Sequence, residues 1–230
     1  IEALLSVTRQ EKVTLVGACS GGITATSLAH ALQARGMGDV VNAMALLVCV
    51  LKPNIGDTEL SLFASSEAIE AARNKSKKAG ILSGNDLGSF FAWMRPNDLI
   101  WNYVVNNYLL GEDPPAFDVL FWNNDVTNLP AQLHSDFLDL GLDERFSNPG
   151  TVEFMGDKVD LGQMNFDILN VAGSTDHITP WRSCYRSNDL FGGDVEFVLV
   201  NSGHLQAMIM PIGKPRAKYF LNKGFKGNDE

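Results

Sequence analysis

The stretch Val13-Thr14-Leu15-Val16-Gly17-Ala18-Cys19-Ser20-Gly21-Gly22 decides how the chain is read. A short β-branched, apolar run ends in Gly-x-Cys-x-Gly, and a helical pattern starts at once at Ile23. A strand that turns sharply into a helix strains its tip residue and crowds the neighbouring Cβ atoms. Gly17 and Gly21, two residues either side of Cys19, are expected where that crowding is worst. The helix would begin with its positive amino end beside the sulfur, which favours thiolate over thiol. Cys19 is therefore a candidate nucleophile, and the backbone N–H of Ser20 a candidate oxyanion donor. So short a motif arises by chance, and cysteine is often a small buried apolar residue. Partners elsewhere in the chain must decide.

Length and composition set bounds on those partners. The 230 residues suit one α/β domain, or one carrying an insertion, and 45% hydrophobic with 20% charged content is an ordinary globular balance. The longest apolar run, Ala43 to Leu51, is too short to span a bilayer, and no secretory signal is visible. A net charge of −9 argues against a nucleic-acid partner, since phosphate binding needs a basic face. Three cysteines (Cys19, Cys49, Cys184) with no CxxC pair indicate neither a disulfide framework nor a zinc site. No metal or cofactor is expected, and a reducing cytoplasm fits.

Before the motif, residues 1–12 hold only the end of a helix and a polar turn. Beyond it, Ile23–Arg35 reads as a helix stopped by Gly36, and Val40–Leu51 as a parallel strand covered on both faces, with Cys49 in the core. At Lys52-Pro53-Asn54-Ile55-Gly56-Asp57 the character changes to helical. Ser65 or Ser66 caps a helix whose lysines 75, 77 and 78 precede Gly80. A short helix over Asp86–Met94 follows, then another over Leu99–Leu110 that stops at Gly111. Trp93, Trp101, Tyr103, Tyr108, Phe117, Phe121 and Trp122 make this an aromatic-rich insertion, readable as a lid or as ordinary helical core.

Sheet character returns near Thr151, with a hairpin around Gly156-Asp157. A buried strand, Asp167–Ala172, leads into Gly173-Ser174-Thr175-Asp176-His177, and Thr179-Pro180 caps and starts a helix that stops at Gly192-Gly193. A strand over Val195–Val200 leads into Asn201-Ser202-Gly203-His204 and a short helix ended by Pro211. The tail from Lys214 is basic, then polar, and reads as frayed.

Two strands after the insertion thus end in loops, one carrying Asp176 and the other His204. Nucleophile, acid, histidine is the chain order of α/β-hydrolases, and the opening motif resembles their nucleophile elbow with cysteine in place of serine. In an open parallel sheet such loops share the carboxyl edge of the strands, so the three side chains can converge. Of the other histidines, His30 falls on the polar side of its helix and reads as solvated. His134 is a surface or pocket residue, and His177 neighbours the acid with no role that follows from sequence. Cys184 reads as structural. A cysteine nucleophile points to acyl transfer from a thioester: exchange between thioesters is nearly isoenergetic, whereas an oxygen ester is a deeper resting point. His204 would take the thiol proton, and Asp176 would orient the imidazole or help to activate an attacking hydroxyl.

The segments GACSGG (17–22), FAWMRPNDLIWNYVVNNYLLG (91–111), PPAFDVLFWNNDVTNLP (114–130), AGSTDHITPW (172–181), CYRSNDLFGG (184–193) and SGHLQ (202–206) resemble polyhydroxyalkanoate synthases, above all the type favouring medium-chain-length monomers. The resemblance implies an α/β-hydrolase fold with a helical cap. Its core would occupy residues 1–53 and 151–230 and its cap residues 54–150, with the N-terminal strands of the family lacking from this chain. It implies polymerisation of (R)-3-hydroxyacyl-CoA with release of CoA, through a thioester on Cys19 with His204 as base and Asp176 as acid. It also implies a cytoplasmic homodimer at the surface of polyester granules. The departure at the front suggests a piece covering most of the catalytic domain, poorly active alone. Two other readings carry different expectations: a thioesterase, esterase or depolymerase of the same fold, and a non-catalytic granule-binding protein with a relict site.

Overall fold

The computed structural model describes residues 1–54, 65–94, 96–114, 125–211 and 213–223. In chain order its elements are α1 (Glu2–Thr8), β1 (Val13–Ala18), α2 (Ser20–Ala34), β2 (Val41–Leu47), α3 (Ser66–Ala79), β3 (Ile81–Leu82), α4 (Gly84–Met94), β4 (Leu129–Pro130), α5 (Ala131–Leu142), β5 (Glu153–Phe154), β6 (Asp157–Lys158), β7 (Asp167–Gly173), α6 (Trp181–Arg186), β8 (Val195–Val200), α7 (His204–Ile209) and β9 (Tyr219–Lys223). They form two compact units, Ile1–Thr58 with Asp139–Glu230, and Glu59–Leu138.

The first unit is built on a five-stranded sheet in the order β1-β2-β7-β8-β9. The first four strands are parallel, and β9 returns antiparallel to β8 at the edge. The tail read as frayed therefore contains a strand. Tyr219-Phe220-Leu221 is an apolar triplet with enough β propensity to pair opposite Val200, Leu199 and Val198. The final residues of that tail, 224–230, lie outside the described residues.

Strand register sorts the apolar residues by face. Leu15, Met44, Ile168 and Val195 are aligned on one face, continued by Leu46, and this face packs on Ala29 of α2 and on Leu161 and Met164, while Phe197 of β8 packs with Ala172 and Cys184. The opposite face is thinly covered among the described residues: Val16 and Leu169 are 64% and 38% exposed. The expectation of a strand covered on both faces thus holds on one side. β2 is also shorter than the apolar run implied. Val48 takes φ 49°, a left-handed conformation strained for a β-branched residue, and this ends the extended stretch at Leu47. It is held there by its N–H to Val171 O (2.7 Å), while the N–H groups of Leu51 and Lys52 donate to Ser187 Oγ at 2.9 and 3.0 Å.

The hairpin closes between β5 and β6, shorter than its sequence pattern suggested, on Met155 (φ 55°) and Gly156 (φ 88°). Two successive positive φ values match the right-handed twist of the flanking strands.

In the second unit Ser65 Oγ caps α3 by accepting the Ala68 N–H (3.2 Å), and Gly80 ends it in the left-handed conformation. The helix expected over Leu99–Leu110 is present but wound wider. Asn97–Trp101 and Val104–Leu109 are π-helical, before Gly111 at φ 70°. Trp93, Trp101 and Tyr108 are exposed, so these rings are not core within the described residues. Phe117, Phe121, Trp122 and the break at Ile55-Gly56-Asp57 lie outside them.

Candidate active site

Cys19 stands between β1 and α2 at φ 51°, ψ −127°. A non-glycine residue there is strained, and two backbone bonds keep it in place: Cys19 N–H donates to Leu47 O (2.8 Å), and Gly22 N–H donates to Cys19 O (2.9 Å). The helix starts at Ser20, three residues earlier than its apolar pattern shows, because Cys19 itself is the N-cap. Ser20 is thus the first helical residue, and its N–H has no partner inside the helix.

At the turn, the glycine that crowding requires is Gly22 and not the expected Gly21. A Cβ on Gly17 would lie 2.5 Å from Gly22 Cα, and one on Gly22 would overlap Cys49 Sγ. A Cβ on Gly21 would meet nothing within 4 Å. The crowded pair is Gly17 and Gly22, because one helical turn past the tip brings residue 22, not 21, back over β1 and the continuation of β2.

Asp176 lies in the loop after β7. That loop is tied to the end of β8 by Ser174 N–H to Val200 O (2.8 Å) and Thr175 N–H to Ser202 O (3.2 Å). The Asp176 carboxylate is buried and receives four donors. Oδ1 accepts the N–H of Ile178 (2.9 Å) and of Thr179 (3.0 Å); Oδ2 accepts the Thr179 hydroxyl (2.7 Å) and His204 Nδ1 (2.7 Å). Burial alone would raise its pKa, but the hydrogen bond and charge of His204, followed by the bonds from Thr179, reverse this and leave it lowered.

His204 opens α7. Burial works against its positive charge, yet the hydrogen bond with Asp176, then the nearby Cys19 sulfur, then the charges of both, carry its pKa from an ordinary 6.5 up to about 9. His204 and Asp176 are thus joined directly, and Cys19 lies near enough to His204 for its sulfur to contribute to that rise. With Nδ1 committed to an ionised carboxylate, which can only accept, Nε2 is the nitrogen left for the thiol. The arrangement can move a proton from a thiol to an imidazole beside a helix amino end.

Thr179 went unread as a site residue. The sequence pattern made it the helix cap, but the N-cap of α6 is Pro180, and the Thr179 side chain turns to Asp176 instead. The available signal was a hydroxyl only three residues after the acid, close enough along the chain to reach its carboxylate. His30 is also corrected: it is 3% exposed, buried rather than solvated, because the broad face of α2 around Ala29, Ala31 and Leu32 packs inward. His134 is buried in the second unit, with Nδ1 2.8 Å from Ser76 Oγ. Cys49 and Cys184 are fully buried thiols, and burial pushes both well above the usual thiol range. Among the described residues no three His, Cys, Asp or Glu side chains are grouped to hold a metal ion.

Comparison with known proteins adds relatives to this geometry. A family model for the alpha/beta hydrolase fold matches residues 1–209. Poly(3-hydroxyalkanoate) polymerase 1 of Ectopseudomonas oleovorans is 49% identical over 228 residues, covering 99% of this chain and 40% of that protein. Poly(3-hydroxyalkanoate) polymerase 2 of the same organism is 47% identical over 222 residues, covering 96% and 40%. The poly(3-hydroxyalkanoate) polymerase subunit PhaC of Rhizobium meliloti (strain 1021) is 34% identical over 233 residues, covering 100% and 37%. The chain spans about two fifths of the length of these relatives. The resemblance drawn from its motifs is borne out by their names.

Proposed function

Because the chain belongs to the alpha/beta hydrolase fold family, we propose that it carries the acyl-transfer site of a polyester-forming enzyme that polymerises (R)-3-hydroxyacyl-CoA. Cys19 is the nucleophile, His204 the base and Asp176 the acid that holds the imidazole. The observation that carries this reading is the 2.7 Å bond from His204 Nδ1 to Asp176 Oδ2, which leaves the other ring nitrogen for Cys19.

In the first half-reaction the Cys19 sulfur attacks the acyl-CoA carbonyl while His204 Nε2 holds the thiol proton. The carbonyl oxygen becomes an oxyanion that Ser20 N–H receives, a contact whose loss typically costs about 3 kcal/mol in comparable sites. Collapse expels CoA, protonated by His204, and leaves a thioester on Cys19. In the second, a 3-hydroxyl group loses its proton to His204 and attacks that thioester; the new ester bond lengthens the polyester by one unit as the C–S bond breaks and the Cys19 thiolate leaves, paired again with the protonated His204. A thioester ground state keeps the acyl group activated between the two, which a serine ester would not.

The setting consistent with this chemistry is a granule surface in the cytoplasm and a homodimer, with CoA thioester as substrate and no separate cofactor. No described helix is long and apolar enough to cross a membrane. The test is mass spectrometry of the chain after exposure to (R)-3-hydroxyacyl-CoA, alongside analysis of the released product. An acyl group on the peptide containing Cys19, with oligomeric ester in solution, supports the reading. Free 3-hydroxy acid as the sole product would assign a hydrolase, and absence of acylation with intact folding would leave a binding protein.

A further inference from the structure

We propose that Thr179 is a positioning residue for the reaction: by sharing Asp176 Oδ2 with His204, its hydroxyl sets the direction in which the imidazole faces Cys19. The inference rests on the reading of Cys19, His204 and Asp176 as the reacting groups.

Three atoms make a closed triangle. Thr179 Oγ1 is 2.7 Å from Asp176 Oδ2 and 3.1 Å from His204 Nδ1, and Nδ1 is 2.7 Å from Oδ2. An ionised carboxylate accepts only, so the Thr179 O–H and the His204 Nδ1–H both donate to Oδ2. The lone pairs of Oγ1 then face Nδ1–H as a second acceptor, and the imidazole proton is held from two sides. Oδ1 is committed to the Ile178 and Thr179 N–H groups, so the carboxylate cannot turn without breaking bonds at both oxygens.

Thr179 is itself fixed. It is 9% exposed, it is β-branched and stiff about χ1, and Pro180 after it restricts the backbone conformations open to it. The hydroxyl is therefore delivered by a rigid element. If Thr179 only satisfied a buried carboxylate, its loss would lower stability and leave the thiol's reactivity alone. If it aims the imidazole, its loss changes how Cys19 reacts even where the fold persists.

The experiment is the rate of alkylation of Cys19 by iodoacetamide between pH 6 and 10, read on the Cys19 peptide, with melting temperature measured in parallel. It compares the wild type, Thr179→Val, Thr179→Ser and Asp176→Asn. Cys49 and Cys184 are buried and serve as internal references for unfolding. Thr179→Val is expected to slow alkylation near neutral pH by about ten- to hundredfold, the scale of one hydrogen bond to a charged group, and to displace the pH profile. Thr179→Ser, which keeps the hydroxyl, recovers the rate to within about threefold, inside the usual context spread of a single hydrogen bond. Should Thr179→Val expose Cys49 and Cys184, Thr179→Ala is the second variant, with the same loss expected. A wild-type rate and profile without the hydroxyl, while Asp176→Asn is slowed, overturns the proposal. If Asp176→Asn is also unchanged, it is the underlying reading of the site that fails.

Discussion

Gly22 and Cys49 are pressed together at the turn that carries Cys19: there is no room between them for a single methyl group. Cys49 is fully buried, at the bend that Val48 makes after β2. The backbone strain at Cys19 is thus braced from below by a packed contact between the first turn of α2 and the next strand's extension. Gly22→Ala should destabilise the chain by about 1–3 kcal/mol, as overpacking does, and should slow labelling of Cys19. Gly21→Ala, in open space, should be near neutral in denaturant titrations. Cys49→Ala in the Gly22→Ala background should restore part of the loss, because Sγ is the nearest atom met but Cys49 Cβ remains close. Full additivity of the two changes would show that the contact does not couple them.

The charge on His204 ties stability to pH. Its pKa rises from 6.5 to about 9 on folding, so the folded chain holds a proton that the unfolded chain releases. The stabilisation is complete below about pH 6.5 and is lost as pH climbs through about 9. Urea midpoints of the wild type are therefore expected to fall between pH 6.5 and 9.5 more steeply than those of His204→Gln. Parallel curves for the two proteins would remove His204 as the source.

Asp176→Asn should keep the backbone bonds to Oδ1 but reverse the preference at Oδ2, since an amide nitrogen there donates where His204 Nδ1–H also donates. The ring then turns or takes its other tautomer. Acylation of Cys19 by an acyl-CoA is expected to drop by about 10⁴-fold, the scale seen when an orienting carboxylate is neutralised in a Ser-His-Asp triad. Single-turnover CoA release measures it directly. A loss below tenfold would mean that the carboxylate does little to orient the ring.

In the second unit, the His134–Ser76 bond joins α3 to α5, and both side chains are buried. The His134 pKa is lowered, first by burial and then by the Arg73 charge, so protonation favours unfolding and stability should fall as pH drops below about 6.5. Ser76→Ala leaves the ring nitrogen unpartnered and should cost about 1–3 kcal/mol at neutral pH. Hydrogen exchange of the α3 and α5 amides reads this loss within the unit itself. Unchanged exchange in both helices would remove the bond from the account.

Much of this was visible in the chain itself, for local reasons. The β-branched run before Cys19, the small residues after it and the loops ending in Asp176 and His204 are short-range signals, governed by backbone sterics and by strand periodicity of two. Parallel topology then places such loops at one edge whatever the intervening sequence, so three distant residues could be named together. Errors came where packing at long range decided. Val48 looked like more strand, yet its left-handed conformation depends on the Val171 carbonyl 123 positions on. His30 looked solvated because helical periodicity alone does not say how wide a face α2 buries. β9 looked like tail because strand pairing at an edge depends on its partner, β8, more than on the composition of the strand.

What the amino-acid order determined by itself was the kind of fold, a candidate nucleophile, and which carboxylate and which imidazole to set beside it as candidates. Only the tertiary structure decided the rest: that residue 22 rather than 21 must lack a side chain, and that Thr179 joins the carboxylate rather than capping a helix. The physical reason is reach. Torsional preferences act over a few bonds and are written residue by residue, whereas steric exclusion and shared hydrogen-bond acceptors exist only once remote segments occupy the same few ångströms.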